Sequence, residues 1–116
     1  MAEMSQHLQE KRDQDARWGQ YRAGWLSVTP DQMCAAGSYI AREWGDYGYR
    51  IEAAGSPTHA VSLFHVAAAD GSRFIVAADK WGNCRKAADS HGYATAELLA
   101  ELRAVVTEMH AKATAA

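Results

Sequence analysis

Cys84 and His91 are the residues whose types could support covalent catalysis. Cys84 lies between Lys80 on one side and Arg85 and Lys86 on the other, and positive neighbours lower the pKa of a thiol. His91 follows seven residues after Cys84, where it could accept the thiol proton. No acid is placed to orient this histidine, and the chain has no GxSxG motif and no glycine-rich phosphate loop. A small Cys–His enzyme is therefore the third candidate function, and we expect a protein without enzymatic activity.

Histidine and cysteine are also the usual ligands of transition metals. The candidates His59, His65, Cys84 and His91 lack the short paired spacing of a structural zinc site, and there is no HExxH motif. In a regular strand His59 and His65 would share a face but stand about 20 Å apart, at roughly 3.3 Å per residue. Because no set of ligands converges, we expect neither a metal nor another cofactor.

A basic segment that contains aromatic residues lies between residues 71 and 93. It contains four cations and two acids, Asp79 and Asp89, which gives a net charge of 4 − 2 = +2. Cations interleaved with aromatic rings suit phosphate contact combined with base stacking. The residues that would bind nucleic acid are Arg73, Lys80, Trp81, Arg85 and Lys86. The alternative, a solvated charged loop, is favoured.

The order of helices and strands from Thr29 to Lys112 resembles that of the double-stranded-RNA-binding domain. That family recognises duplex shape across two minor grooves, and it contacts phosphate with a Lys-rich start to its last helix. Here the last helix opens Thr95-Ala96-Glu97-Leu98 and continues to Glu101, and these acids repel phosphate. The resemblance is therefore one of order only, and membership is not inferred.

Aromatic residues form two further groups that favour protein recognition. Trp18, Tyr21 and Trp25 are spaced i, i+3 and i+7, so they would lie on one face of a helix. Either these rings dock the helix on the domain, or they form a partner surface, since Trp and Tyr often anchor interfaces. Trp44 and Tyr47 belong to a second aromatic stretch. The four tryptophans exceed what a small core easily buries, and exposed aromatic clusters tend to mark contact sites.

The composition is that of an ordinary globular domain. Of the 116 residues 48% are hydrophobic and 22% charged, and the net charge of −2 gives no general attraction to nucleic acid or acidic membranes. No apolar run reaches the length of a membrane span, and the polar start of the chain does not resemble a secretory signal. With two cysteines fifty residues apart, we expect a cytoplasmic protein. Its size and lack of catalytic motifs suit a small accessory protein of bacteria or phages.

The elements that position these residues follow from periodicity and turn signals. Asp70-Gly71 between two apolar runs predicts a hairpin with a type I′ turn, whose cleaner apolar face contains Phe64, Val66, Phe74, Val76 and Ala78. Thr29-Pro30-Asp31-Gln32 predicts the start of a helix that ends near Gly45. Residues 47–54 alternate as a first strand. Thr95 caps a last helix with an apolar stripe, Leu98, Leu99, Leu102, Val105, Val106 and Met109.

The sequence thus predicts an α+β fold of order α-α-β-β-β-α. A three- or four-stranded antiparallel sheet is covered on one face by the helices at 30–44 and 94–112. Residues 1–26 form a helical arm, 27–112 a single domain and 113–116 a frayed tail. We expect a binding or regulatory module that recognises another protein through Trp18, Tyr21, Trp25, Trp44 and Tyr47. An uncovered sheet edge also allows homodimer formation.

Overall fold

Within the residues that it describes, the computed structural model shows three helices and one four-stranded antiparallel sheet. It describes residues 2–44, 48–89 and 95–115, without the side chains of residues 2–7, 44, 88 and 89. The elements are α1 (Ala2–Arg22), α2 (Pro30–Trp44), β1 (Arg50–Gly55), β2 (Val61–Ala67), β3 (Arg73–Asp79), β4 (Cys84–Asp89) and α3 (Ala96–Thr114). The α+β class is therefore confirmed. The sequence allowed either three or four strands, and β4 is the fourth.

The hairpin formed by β2 and β3 lies at the centre of the sheet order β1-β2-β3-β4. At the turn that joins these two strands, the N–H of Ala68 donates to the carbonyl of Ser72 at 2.8 Å. Gly71 has φ +91°, but Asp70 does not have a positive φ. A type I′ turn needs positive φ at both central residues, so the predicted turn type is wrong although the hairpin is where it was expected. The Asp70 carboxylate instead accepts from the N–H of Ser72 at 2.9 Å.

Both faces of the sheet are covered, and each by a different helix. The α2 face carries Phe64, Val66, Phe74, Val76 and Ala78, packed against Ala36 and Ile40 of α2. The α3 face carries Val61, Leu63, Ile75, Ala77 and Ala87, packed against the buried stripe of α3. The prediction that both helices cover one face is therefore wrong. The reason is that β2 and β3 are buried at almost every position, so both of their faces are apolar and each needs a cover.

Both predicted helix starts are confirmed by their capping hydrogen bonds. At α2 the N–H of Gln32 donates to Thr29 Oγ1 at 3.3 Å, and the N–H of Thr29 donates to Gln32 Oε1 at 2.8 Å. This reciprocal pair satisfies two N–H groups that a helix start otherwise leaves without partners. At α3 the N–H of Leu98 donates to Thr95 Oγ1 at 3.1 Å. α3 then continues through Thr114, two residues beyond the predicted end at Lys112.

α1 touches the rest of the protein through its C-terminal end. Every residue from Leu8 to Asp13 is exposed, whereas Trp18 and Tyr21 pack against the core on the α3 face. Arg22 Nη2 donates to the carbonyl of Ala54 at 3.2 Å. Leu26 then pairs with Ser56 as an isolated antiparallel bridge beside the end of β1. The linker from α1 to α2 thus passes around the β1 edge from one face of the sheet to the other.

Candidate functional site

The predicted anchors Trp18, Tyr21 and Trp25 pack against their own domain. Trp25 lies beyond the end of α1, and its ring stands edge-on to both others, with centroids 5.8 Å from Trp18 and 4.9 Å from Tyr21. All three rings are half-buried against the core of the α3 face. They dock the helix, which is one of the two alternatives that the sequence allowed, and only their outer sides remain accessible. A role in partner binding stays a prediction for these residues. The side chain of Trp44 and the whole of Tyr47 lie outside the described residues.

The basic segment does not form one surface. Arg73 begins β3 and Lys80 follows its end, so the two α-carbons are about 23 Å apart at roughly 3.3 Å per residue. Arg85 Nη1 contacts Glu108 Oε2 of α3 at 2.8 Å. Lys86, on the other side of β4, has its Nζ 5.6 Å from the centre of the Phe74 ring on the α2 face. The five residues predicted to contact nucleic acid are therefore divided between two faces and two ends of the sheet.

The Cys84 thiol is in the wrong environment for a nucleophile. Burial, with a smaller contribution from the negative charge of Asp79, raises the pKa of Cys84 to about 12. Its Sγ faces the carbonyl of Ala36 at 3.9 Å. The positive neighbours in sequence thus do not lower the pKa of Cys84, which is set by desolvation and by the charge of Asp79. His91, the predicted partner, lies outside the described residues.

His59, His65 and His110, the histidines whose side chains the structure describes, do not form one cluster. His110 Nδ1 lies 2.9 Å from Thr58 Oγ1, and its ring meets that of His59 edge-on at 5.1 Å. His65 lies on the α3 face with its ring centre 6.0 Å from that of Trp18. Burial lowers the pKa of His65, the charge of Arg22 lowers it further, and Glu52 opposes this. Within the described part of the chain, no group of three or more potential ligands converges on one point.

A depression of about 250 Å³ lies beside His65. Its charged lining consists of Arg50, Glu52 and Arg73. Arg50 and Arg73 flank Ala67 on neighbouring strands, so a small side chain forms the floor between them. Because two cations and an acid line the depression, its electrostatic potential does not favour ligands of one charge.

The turn between β3 and β4 is organised by a buried carboxylate. Asp79, which is 5% exposed, accepts from the N–H groups of Trp81 and Asn83 through Oδ1, each at 2.9 Å. Its Oδ2 accepts from Asn83 Nδ2 at 2.9 Å. Three hydrogen bonds to one carboxylate fix the turn, since charge-assisted bonds are the strong ones. The sequence signal that could have shown this is an aspartate at the start of a Gly- and Asn-containing segment, since Asp side chains accept from the N–H two residues on in Asx turns.

This rigid turn presents the most exposed large apolar side chain of the described residues. Trp81 is 68% exposed, and Lys80 Nζ lies 5.2 Å from the centre of its ring. Behind it, the Tyr39 ring of α2 packs on Gly82. Arg42 Cζ lies 5.2 Å from the centre of the Tyr39 ring. We call these four residues, Tyr39, Arg42, Lys80 and Trp81, the Trp81 surface.

The Trp81 surface unites residues that are far apart in the sequence. The sequence assigns Trp81 and Lys80 to nucleic-acid binding, whereas no sequence pattern indicates a role for Tyr39 and Arg42. What brings them together is the contact between Tyr39 and Gly82, whose φ of +85° only glycine readily adopts. A built Cβ at Gly82 would come within 2.8 Å of Tyr39 Cε2, so this close approach also requires glycine.

Comparison with known proteins gives no guide to the function. No protein-family model, no curated protein and no solved structure matches the chain. None of the helices within the described residues combines the length and the apolar character needed to cross a bilayer. The function must therefore be inferred from this chain's own residues.

Proposed function

We propose that this protein is a non-enzymatic binding module that recognises another protein through the Trp81 surface. The observation that carries the proposal is the combination of high exposure and fixed backbone at Trp81. A partner that covers this exposed indole would bury a large apolar area, and Trp is among the residues that most often dominate interface energies. Because the turn is already ordered, little conformational entropy is lost when a partner covers the ring.

Charge distribution favours a protein partner over nucleic acid. Among the described residues, the cations that contact the two rings are Lys80 and Arg42, whereas Arg85 is paired with Glu108 and Arg73 lies at the far end of β3. The chain as a whole has a net charge of −2. Nucleic-acid affinity derives mainly from several cations contacting consecutive phosphates. Two cations beside two aromatic rings instead suit the mixed character of a protein interface.

We further propose that the module works in the cytoplasm. Cys34 is exposed and Cys84 is partly buried, and both are free thiols. Exposed free thiols are typical of proteins kept in a reducing compartment.

The test is affinity capture with the wild-type protein and the Trp81→Ala variant, followed by a binding measurement with the purified partner. We expect Trp81→Ala to weaken the complex by about 30-fold or more, the effect of losing an interface hot spot. The matched control is Leu26→Ala, which removes another exposed apolar side chain, 57% exposed, on the bridge beside the end of β1. Unchanged affinity of Trp81→Ala, with unchanged circular dichroism, would refute the proposal. Captured material that disappears on nuclease treatment would support nucleic-acid binding instead.

A further inference from the structure

The backbone groups on the outer edge of β1 can be identified from the ladder. Ala68 bonds to Ser72 across the hairpin, so the even-numbered residues of β2 direct their N–H and C=O groups toward β3. The odd-numbered residues, including His65 and Ala67, therefore face β1. Their partners on β1, Glu52 and Arg50, therefore direct their backbone N–H and C=O groups toward β2. By alternation the outward backbone groups of this strand belong to residues 49, 51 and 53.

This outer edge is open from Tyr49 to Ala53. Among the described residues, none forms a hydrogen bond with the outward backbone groups of this run. The described contacts cover this edge at the C-terminal end of β1, where Arg22 donates to the carbonyl of Ala54 and Leu26 pairs with Ser56. The side chains of Arg50, Glu52 and Ala53 are exposed, so a strand could approach from outside. An open edge of this kind is a template for another strand.

The opposite edge is protected. β4 carries the adjacent cations Arg85 and Lys86, and its pairing with β3 is interrupted by a bulge between Ile75 and Val76. Basic side chains on an edge strand discourage its pairing with another strand, whereas the bulge does not distinguish the two edges, because β1 has one between Ala53 and Gly55. Helices α2 and α3 also both contact β4. The β4 edge thus carries two adjacent charges of the same sign, whereas the β1 edge carries one charge of each sign, Arg50 and Glu52.

We propose that β1 pairs with β1 of a second copy of this chain. The two strands run antiparallel about a two-fold axis at Ile51, so that Arg50 lies opposite Glu52 of the second copy. The result is a continuous eight-stranded sheet. This surface is separate from the Trp81 surface, and dimer formation does not depend on the proposed binding function.

Charge complementarity selects the second copy as the occupant of this edge. The two-fold axis creates two ion pairs, because Arg50 of each copy lies opposite Glu52 of the other. Both pairs occupy non-hydrogen-bonded positions, where opposing side chains come closest. Moving the axis by one residue would place Glu52 opposite Glu52 or Arg50 opposite Arg50, and like charges directly opposite are destabilising. The proposed register is therefore favoured over its two neighbours by its ion pairs.

The other face of the same strand is complementary in shape. Ile51 packs on the α2 face, and in the proposed register it meets Ile51 of the second copy. Tyr49, whose hydroxyl donates to the carbonyl of Gly37 at 3.1 Å, lies opposite the small Ala53. A large ring opposite a methyl group fits without a clash, and the backbone bonds of residues 49, 51 and 53 add about six hydrogen bonds. A contact this short is small for an interface, so a weak, reversible dimer is expected.

Charge reversal tests the register, with analytical ultracentrifugation as the assay. Arg50→Glu places glutamates opposite glutamates, and Glu52→Arg places arginines opposite arginines. We expect each variant alone to dimerise at least about tenfold more weakly than the wild type. An equimolar mixture of the two variants restores both ion pairs and should form a heterodimer with affinity close to that of the wild type. Arg73→Glu reverses a charge on the same face but two strands from the edge, and should leave the dimer unchanged.

The outcomes distinguish the alternatives. A wild-type protein that stays monomeric up to the highest soluble concentration would overturn the proposal. So would a dimer that the single reversals leave intact, because its interface would lie elsewhere. Weakening by both single variants without recovery in the mixture would show that this register is wrong. Circular dichroism of each variant identifies loss of fold, and Trp81→Ala should dimerise like the wild type because its surface is separate.

Discussion

Replacing Gly82 by alanine tests the contact that builds the Trp81 surface. Gly82 has φ +85°, and a Cβ at this position would lie 2.8 Å from Tyr39 Cε2. The matched control is Gly71→Ala in the other hairpin turn, where φ is +91° and a Cβ would meet nothing within 4 Å. The two variants therefore share the backbone strain and differ in the steric clash with the ring.

The two contributions can be estimated separately. Placing a Cβ in the left-handed region costs about 1–2 kcal/mol, which is the whole effect expected for Gly71→Ala. Overpacking against a ring adds about 1–3 kcal/mol, so Gly82→Ala should lower the free energy of unfolding by about 2–5 kcal/mol. In a Tyr39→Ala background the clash is absent, and the effect of Gly82→Ala should fall to that of Gly71→Ala.

Urea unfolding of the single and double variants measures these differences directly. A double-mutant cycle between positions 39 and 82 isolates the coupling, because the two residues are in contact. Equal destabilisation by Gly82→Ala and Gly71→Ala would show that Tyr39 does not restrain the turn. Equal effects of Gly82→Ala with and without the Tyr39 ring would lead to the same conclusion. Either result would remove the structural basis on which Tyr39 and Arg42 are assigned to the surface around Trp81.

Two further predictions concern ionisable side chains. Because burial raises the pKa of Cys84 to about 12, iodoacetamide at neutral pH should alkylate the exposed Cys34 well before Cys84, as followed by peptide mass spectrometry; comparable rates would contradict the burial of this thiol. Burial and the charge of Arg22 lower the pKa of His65 in the folded protein below 6.5. Between the folded-state pKa and 6.5 the unfolded chain therefore binds more protons than the folded protein. The free energy of unfolding should thus fall as the pH decreases from 6.5 through the folded-state pKa. Thermal unfolding of wild type and His65→Gln between pH 7.5 and 5 checks the sign, since the variant should lose this part of the pH dependence; an NMR pKa of His65 at or above 6.5 would contradict it.

Local patterns in the sequence determined the elements of this protein. The capping box at Thr29 and Gln32 and the N-cap at Thr95 were predictable because each involves residues within one turn of helix. The stripe of α3 was predictable because its spacing follows the helical repeat. The hairpin position followed from Asp70-Gly71, but the turn type did not, since two- and three-residue loops share similar residues.

Only the tertiary structure decided which of these residues could act. Trp18 and Trp81 are the same residue type in polar surroundings, yet one docks against the α3 face and the other is exposed. Cys84 has cationic neighbours in sequence, but its pKa is set by burial, with its Sγ facing the carbonyl of Ala36, 48 positions away in the chain. Exposure, burial and an open strand edge depend on contacts between residues far apart in sequence. A local pattern carries no information about them, and the fold has to bring the residues together before their chemistry is defined.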